Sequence, residues 1–187
     1  MTAPTDPAER FRTVAAGFTE RVDGVGPHGW DAPAPCEGWV ARDVVRHLVE
    51  WMPAFLEAAG GPSLSVTADV DGDPAAAWIE LRDGLQALLD SPVIAGSELS
   101  HPRAGTHRFD AGIDTFFTGD VFMHTWDLAR ATGQPEQLDE AVAAEMLAGL
   151  EPLDEMLRQS GQYGPKVEPP PGADATTRLM AFVGRPV

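Results

Sequence analysis

The sequence predicts an all-α fold: an antiparallel four-helix bundle with an extra C-terminal helix and one short hairpin. Three observations carry this. Apolar residues recur at steps of three and four in five separate stretches, the mark of amphipathic helices. Alternation of period two is almost absent. Proline, glycine and short polar residues bracket the apolar stretches as starts and stops. At 187 residues the chain has the size of one domain, and no internal repeat or long linker divides it.

The first helix opens at Asp6-Pro7-Ala8-Glu9, a capping carboxylate before a proline, with Glu9 completing a capping-box-like pattern. Phe11, Val14, Ala15, Phe18 and Val22 mark its apolar face, and Gly24 and Gly26 end it. A turn-rich loop follows, from Gly26 to Gly38. The second helix starts near Val40, which has no side-chain oxygen to cap with, while Asp43 suits the first turn. Its stripe is Val40, Val44, His47, Leu48, Trp51 and Phe55, and Gly60-Gly61-Pro62 stops it. Asp73-Pro74 opens the third helix, with Trp78, Leu81, Leu85, Leu88 and Leu89 buried, and Ser91-Pro92 closes it. A short hairpin is expected around Arg103-Ala104-Gly105. Asp110 reads as the cap of a fourth helix that Gly133 and Pro135 end. A fifth runs from about Asp139 through Val142, Met146, Leu150, Leu153 and Leu157, with a kink at Pro152. An extended, proline-rich tail covers about 161–187, with a closing helix around Thr176 to Phe182.

Composition narrows function. The formal net charge is −16, so no basic surface is available for nucleic acid or for anionic lipid. No segment approaches the roughly 18 apolar residues needed to span a bilayer. The stretch Met1-Thr2-Ala3-Pro4-Thr5-Asp6 has neither the basic start nor the apolar core of a signal peptide. A single cysteine, Cys36, excludes an intramolecular disulfide and fits a cytoplasmic protein. No phosphate loop, dinucleotide fingerprint or serine-nucleophile elbow is present.

The chemistry concentrates where polar residues interrupt apolar stripes. Phe116, Asp120, His124 and Leu128 share one face of the fourth helix, and His47 breaks the stripe of the second. A carboxylate and imidazoles facing a core are costly without partners. One solution is a divalent metal held by His47, Asp120 and His124, with Zn²⁺ the first candidate and Ni²⁺ or Fe²⁺ suited to the same ligands. The other is a polar network, with Asp120 paired to His47 or to an arginine. Asp127, one turn beyond His124, is expected to pair with Arg130 or Arg46, or to bond a ligating histidine from behind. His28, His101 and His107 read as loop residues and Cys36 as structural. Trp39, Trp51, Trp78 and Trp126 read as core, with Trp126 a candidate wall beside His124.

The stretch Trp30-Asp31-Ala32-Pro33-Ala34-Pro35-Cys36-Glu37-Gly38-Trp39 and on through His47-Leu48 resembles the N-terminal signature of the mycothiol-dependent maleylpyruvate isomerase metal-binding domain, of the DinB-like helical-bundle superfamily. Asp120-Val121-Phe122-Met123-His124-Thr125-Trp126-Asp127-Leu128 through Gly133 resembles its second signature. The tail from Tyr163 to Arg185 is similar to the ending of an actinobacterial subfamily of compact, stand-alone proteins. The resemblance implies a four-helix core with a divalent metal, commonly zinc, and maps the family's ligands onto His47, Asp120 and His124. The family's isomerase has glutamate where this chain has Asp120, and carries a second domain after the bundle that this chain is not expected to have.

Three readings follow as expectations. The first is a metal-dependent enzyme, a thiol S-transferase or isomerase, that activates a low-molecular-weight thiol such as mycothiol toward an electrophile. The alternative is a non-catalytic metal-binding, sensing or interaction bundle. A dimerising bundle with an empty site, a homodimer, is the third. The loop around Cys36 and the segment from His101 to Arg108 are expected to shape the pocket.

Overall fold

The computed structural model describes residues 4–161 and 163–187. Met1, Thr2 and Ala3, which begin the N-terminal stretch read above, and Gln162 in the tail lie outside the described residues. The architecture is helical, with one two-stranded antiparallel sheet. Among the described residues, no helix is long and apolar enough to cross a membrane.

Four long helices form the bundle: α1 (Pro7–Asp23), α2 (Ala41–Ala58), α3 (Pro74–Leu89) and, after shorter elements, α6 (Gly119–Thr132). Helix α1 packs against α3 and α6, and α2 packs against the same two, so α1 and α2 face each other diagonally. Phe11 and Phe18 from α1, Leu48, Met52 and Leu56 from α2, and Trp78, Leu81 and Leu85 from α3 are fully buried between them. The Trp78 ring meets Phe18 edge-on with centroids 4.5 Å apart. Its indole N–H donates to Thr19 Oγ1 at 2.9 Å, which satisfies the one polar atom that the tryptophan brings inside.

The helix starts follow the local chemistry. Asp6 Oδ1 accepts from the Glu9 N–H at 3.1 Å and Asp73 Oδ1 from Ala76 N–H at 3.0 Å, each ahead of a proline at the first helical position. Val40 offers no oxygen, but Asp43 reaches back and accepts the Val40 N–H at 2.9 Å, supplying half a capping box. Pro53 lies inside α2 without ending it, with Met52 and Phe55 buried on either side.

Between α3 and α6 come a single turn, α4 (Pro92–Ala95), and the expected hairpin, β1 (Glu98–His101) with β2 (Gly105–Arg108). Helix α5 (Phe109–Ile113) then runs through a wide π-helical turn (Asp114–Thr118) straight into α6. Asp110 is therefore not the cap. The helix begins one residue earlier, and Asp110 sits in its first turn, bound to the guanidinium of Arg108 and to the Ala111 N–H. The left-handed Gly133 closes α6 (φ 67°).

The expected fifth helix is interrupted at Pro152, where the sequence places its kink. Helix α7 (Glu140–Leu150) passes through a 3₁₀ turn containing Pro152 into α8 (Asp154–Ser160). Only Ala143 on α7 is fully buried, and Leu153 is exposed, so this arm lies on the bundle rather than in it. The closing helix α9 (Ala175–Phe182) packs on α7. Leu179, Met180 and Phe182 also meet Phe122, Met123 and Trp126 on the outer face of α6, forming a second apolar cluster.

Candidate metal centre

A tight loop and two helices build the site. In the loop before α2, the Ala34 N–H bonds Trp39 O at 2.9 Å and the Trp39 N–H bonds Cys36 O at 3.0 Å. Gly38 is the third residue of that inner turn and has φ 78°, a conformation that side-chain-bearing residues rarely adopt. The turn folds Cys36 and Trp39 back over the gap between α2 and α6, where His47, Asp120 and His124 lie. The π-helical turn ends just before Asp120. Its extra residue lets the apolar stripe of α5 and that of α6 both face inward although they are out of a regular helical register.

The three side chains read from the sequence converge. His47 Nε2 is 3.0 Å from Asp120 Oδ2, and His124 Nε2 is 3.5 Å from Asp120 Oδ1. One potential ligand atom from each of the three residues lies within 4.8 Å of the others. A tetrahedral ion with ligands at about 2.0–2.2 Å sets neighbouring donors roughly 3.3–3.6 Å apart, so the set matches one cation with little movement. The donor chemistry, two imidazole nitrogens and one carboxylate, suits zinc and its neighbours in the first transition row.

The other face of His124 is fixed. Its Nδ1 is 2.9 Å from Asp127 Oδ2. Asp127 is completely buried and is held by Arg185, whose Nε and Nη2 each donate at 2.8 Å to Oδ1 and Oδ2 respectively. Cys36 Sγ donates to the same Oδ2 at 3.4 Å. Burial alone would raise the Asp127 pKa, but His124 and Arg185 outweigh it and bring it down to about 2. Burial alone would keep His124 neutral, but the charge of Asp120 and the bonds to Asp127 and Cys36 push its pKa up to about 10. Burial also pushes the Cys36 thiol up, against the pull of His124. The surroundings thus favour positive charge at the His124 ring, the sign that a bound cation brings. An ionised Asp127 can only accept, so Nδ1 keeps its proton, and Nε2 is the nitrogen that would give up its proton to take an ion.

Trp39 stacks on His124 with centroids 5.8 Å apart and tilts against His47 at 5.3 Å. Trp51 stacks on the far side of His47 at 6.2 Å. An open cleft of about 400 Å³ leads to His47, lined by Gly38, Trp39, Asp43, Arg46 and Glu50. Arg46 is tied to Asp43 and Asp71 across its rim.

Several expectations are corrected here. The expected bond from Asp127 to a ligating histidine is made, to His124, but its arginine is Arg185 rather than Arg46 or Arg130, which is bound to Glu136. Trp126 does not wall the site: it faces α9, under the guanidinium of Arg130. Trp39 takes that place. The hairpin contributes no lining residue to the cleft; His101 accepts the Arg103 and Ala104 N–H groups and stacks on Phe55 instead. Arg185 was missed because its partner lies 58 residues away and no local pattern joins them. Trp39 could have been singled out, since it follows a glycine in a turn just ahead of the helix that carries His47.

A helical bundle with a histidine–aspartate–histidine set, partly buried between two helices beside an open cleft, defines a class of bundle proteins with a candidate cation centre. Within that class, the chain belongs to the mycothiol maleylpyruvate isomerase N-terminal domain family, whose sequence model matches residues 11–129. It is also similar to two uncharacterized proteins of Mycobacterium tuberculosis, from strains CDC 1551 and H37Rv. Each is 27% identical over 192 residues, covering 97% of this chain and 99% of the relative. No solved structure gives a significant match.

Proposed function

We propose that this protein is a metal-dependent enzyme that activates a low-molecular-weight thiol for S-transfer to, or thiol-assisted isomerisation of, an electrophile. The observation that carries the reading is the convergence of His47, Asp120 and His124 beside an open cleft. These three residues would hold one divalent ion, with zinc the first candidate and Ni²⁺ or Fe²⁺ the others. Such an ion, when bound, lowers the pKa of a coordinated thiol and so holds it as thiolate at neutral pH. The chain's own residues do the rest. Asp127 fixes the His124 tautomer, Trp39 and Trp51 shield the imidazoles from water, and the cleft between Trp39 and Glu50 admits the thiol. No protein nucleophile is needed, and the only cysteine has its thiol committed to Asp127.

The family's name supports mycothiol as the thiol. A reducing cytoplasm suits both a free thiol substrate and the unpaired Cys36. We take the chain to act as one unit, since Arg185 from the tail reaches the residue behind His124.

Metal analysis of protein purified without added metal tests the reading directly. About one equivalent is expected, and His124→Ala should lose it; stoichiometric metal in that variant would refute the ligand assignment. Thiol consumption in the presence of an electrophile should then depend on the metal. Turnover insensitive to a chelator, or absent across several thiols in a metal-loaded protein, would favour the non-catalytic bundle.

A further inference from the structure

The strongest unassigned feature is the arginine that the C-terminal segment delivers to the back of the site. Helix α9 ends in a Schellman motif: the Gly184 N–H bonds Ala181 O at 3.1 Å and the Arg185 N–H bonds Met180 O at 2.9 Å. Gly184 has φ 93°, and a Cβ there would stand 2.8 Å from Pro165 O, so the turn is locked against the incoming chain as well. Arg158 of α8 ties the incoming chain to the end of α9 by donating to the Gly164 and Phe182 carbonyls. The backbone of Arg185 is therefore fixed before its side chain is considered.

That side chain reaches a single target. Its two bonds take one oxygen each of Asp127, which is wholly buried. Oδ2 is shared with His124 Nδ1, so the plane of the carboxylate sets the plane of the imidazole. Without Arg185 the carboxylate would be a buried charge with only His124 and the Cys36 thiol against it, free to turn or to take up a proton. Fork-like pairing of this kind restrains geometry as well as charge.

We propose that Arg185 is a positioning residue for the cation centre: through Asp127 it fixes the tautomer and the angle at which His124 Nε2 meets the ion. This rests on the metal reading above and deepens it. It makes the C-terminal segment part of the site, although Arg185 lies beyond the residues 11–129 that the family's sequence model matches.

The test is Co²⁺ binding to the full chain, followed by the visible ligand-field spectrum and by competition for affinity. Arg185→Ala should weaken Co²⁺ binding about 10–100-fold, the usual cost of losing such an outer contact, and shift the absorption bands. Arg185→Lys, which cannot make both bonds, should fall between it and the native protein. In an Asp127→Asn background, Arg185→Ala should have little further effect. Native affinity and spectrum in a folded Arg185→Ala variant would overturn the proposal. So would a loss confined to the melting temperature of the metal-free protein. Should Arg185→Ala not fold, Arg185→Lys carries the same two readings. If the native chain itself takes up no Co²⁺, it is the metal reading that fails first, a separate outcome.

Discussion

Asp120 bridges the two histidines, one carboxylate oxygen toward each. Its side chain is 22% exposed and belongs to neither apolar cluster. Asp120→Asn should therefore leave the metal-free fold nearly as stable as before while cutting metal affinity by at least tenfold; isothermal titration and a chelated thermal melt separate the two effects. Asp120→Glu should keep one equivalent of metal but alter the Co²⁺ spectrum, since one more methylene pushes the oxygen toward His47. Residues of this kind were legible in the sequence. A carboxylate and two imidazoles on apolar stripes advertise a need for partners, whatever those partners are. Arg185 was not legible, because an arginine in a tail gives no hint of a buried acid in another helix. Trp39 was not found from hydrophobicity, because which tryptophan faces a site depends on the turn set by Gly38; that glycine was the signal to read.

Helices were readable where local chemistry and packing agree. Asp6-Pro7 and Asp73-Pro74 start helices, and Gly133 stops one, as written. Asp110 misled because a capping-type residue can equally sit one turn-position inside, held by Arg108. The arm after Pro135 misled in another way: its leucines and methionines recur at helical spacing, yet α7 and α8 rest on the bundle surface and leave Leu153 and Met156 exposed. The cap of α9 bears a direct test. Asp174 Oδ1 accepts the Thr177 N–H at 2.8 Å, and the bonds to Thr177 hold its pKa below the ordinary aspartate value. Asp174→Ala should cost about 1 kcal/mol at pH 7. A carboxyl with a lowered folded pKa contributes above its unfolded pKa of roughly 3.9 and loses that contribution as the pH falls through the folded value. The gap between variant and native in urea melts should accordingly close in acid. A gap that stays constant down to pH 2 would mean that the carboxylate is not the capping group.

For the molecule as a whole, the bundle core and the surface charge act in opposite directions. Phe18→Ala removes a ring that is fully buried against Trp78 and should cost about 3–5 kcal/mol in denaturant melts. A loss under 1 kcal/mol would show that the four helices do not share that core. The net charge of −16 works against compactness. Exposed pairs such as Arg12–Asp90 and Arg82–Asp83 are each worth about 0–1 kcal/mol, too little to offset it. Raising NaCl from about 0.01 to 0.1 M shortens the screening length from roughly 30 to 10 Å. The melting temperature should rise over that range, and a fall would mean that attractive pairs dominate. The four-helix plan was legible because it follows from stripe count and loop length, whereas the second apolar cluster, built from α6, α7 and α9, depends on which outer face of α6 the tail covers.

The wide turn at Asp114–Thr118 has a consequence for heredity. A regular helix advances about 100° per residue, so losing any one codon there would rewind the coil and swing Phe109 and Ile113 off the interior or carry Asp120 and His124 out of reach of His47. Substitutions in this stretch tune the coil, but a change of length disassembles it. When kindred sequences are aligned, a one-residue gap near Phe116 would therefore separate lineages that keep this centre from those that have lost it.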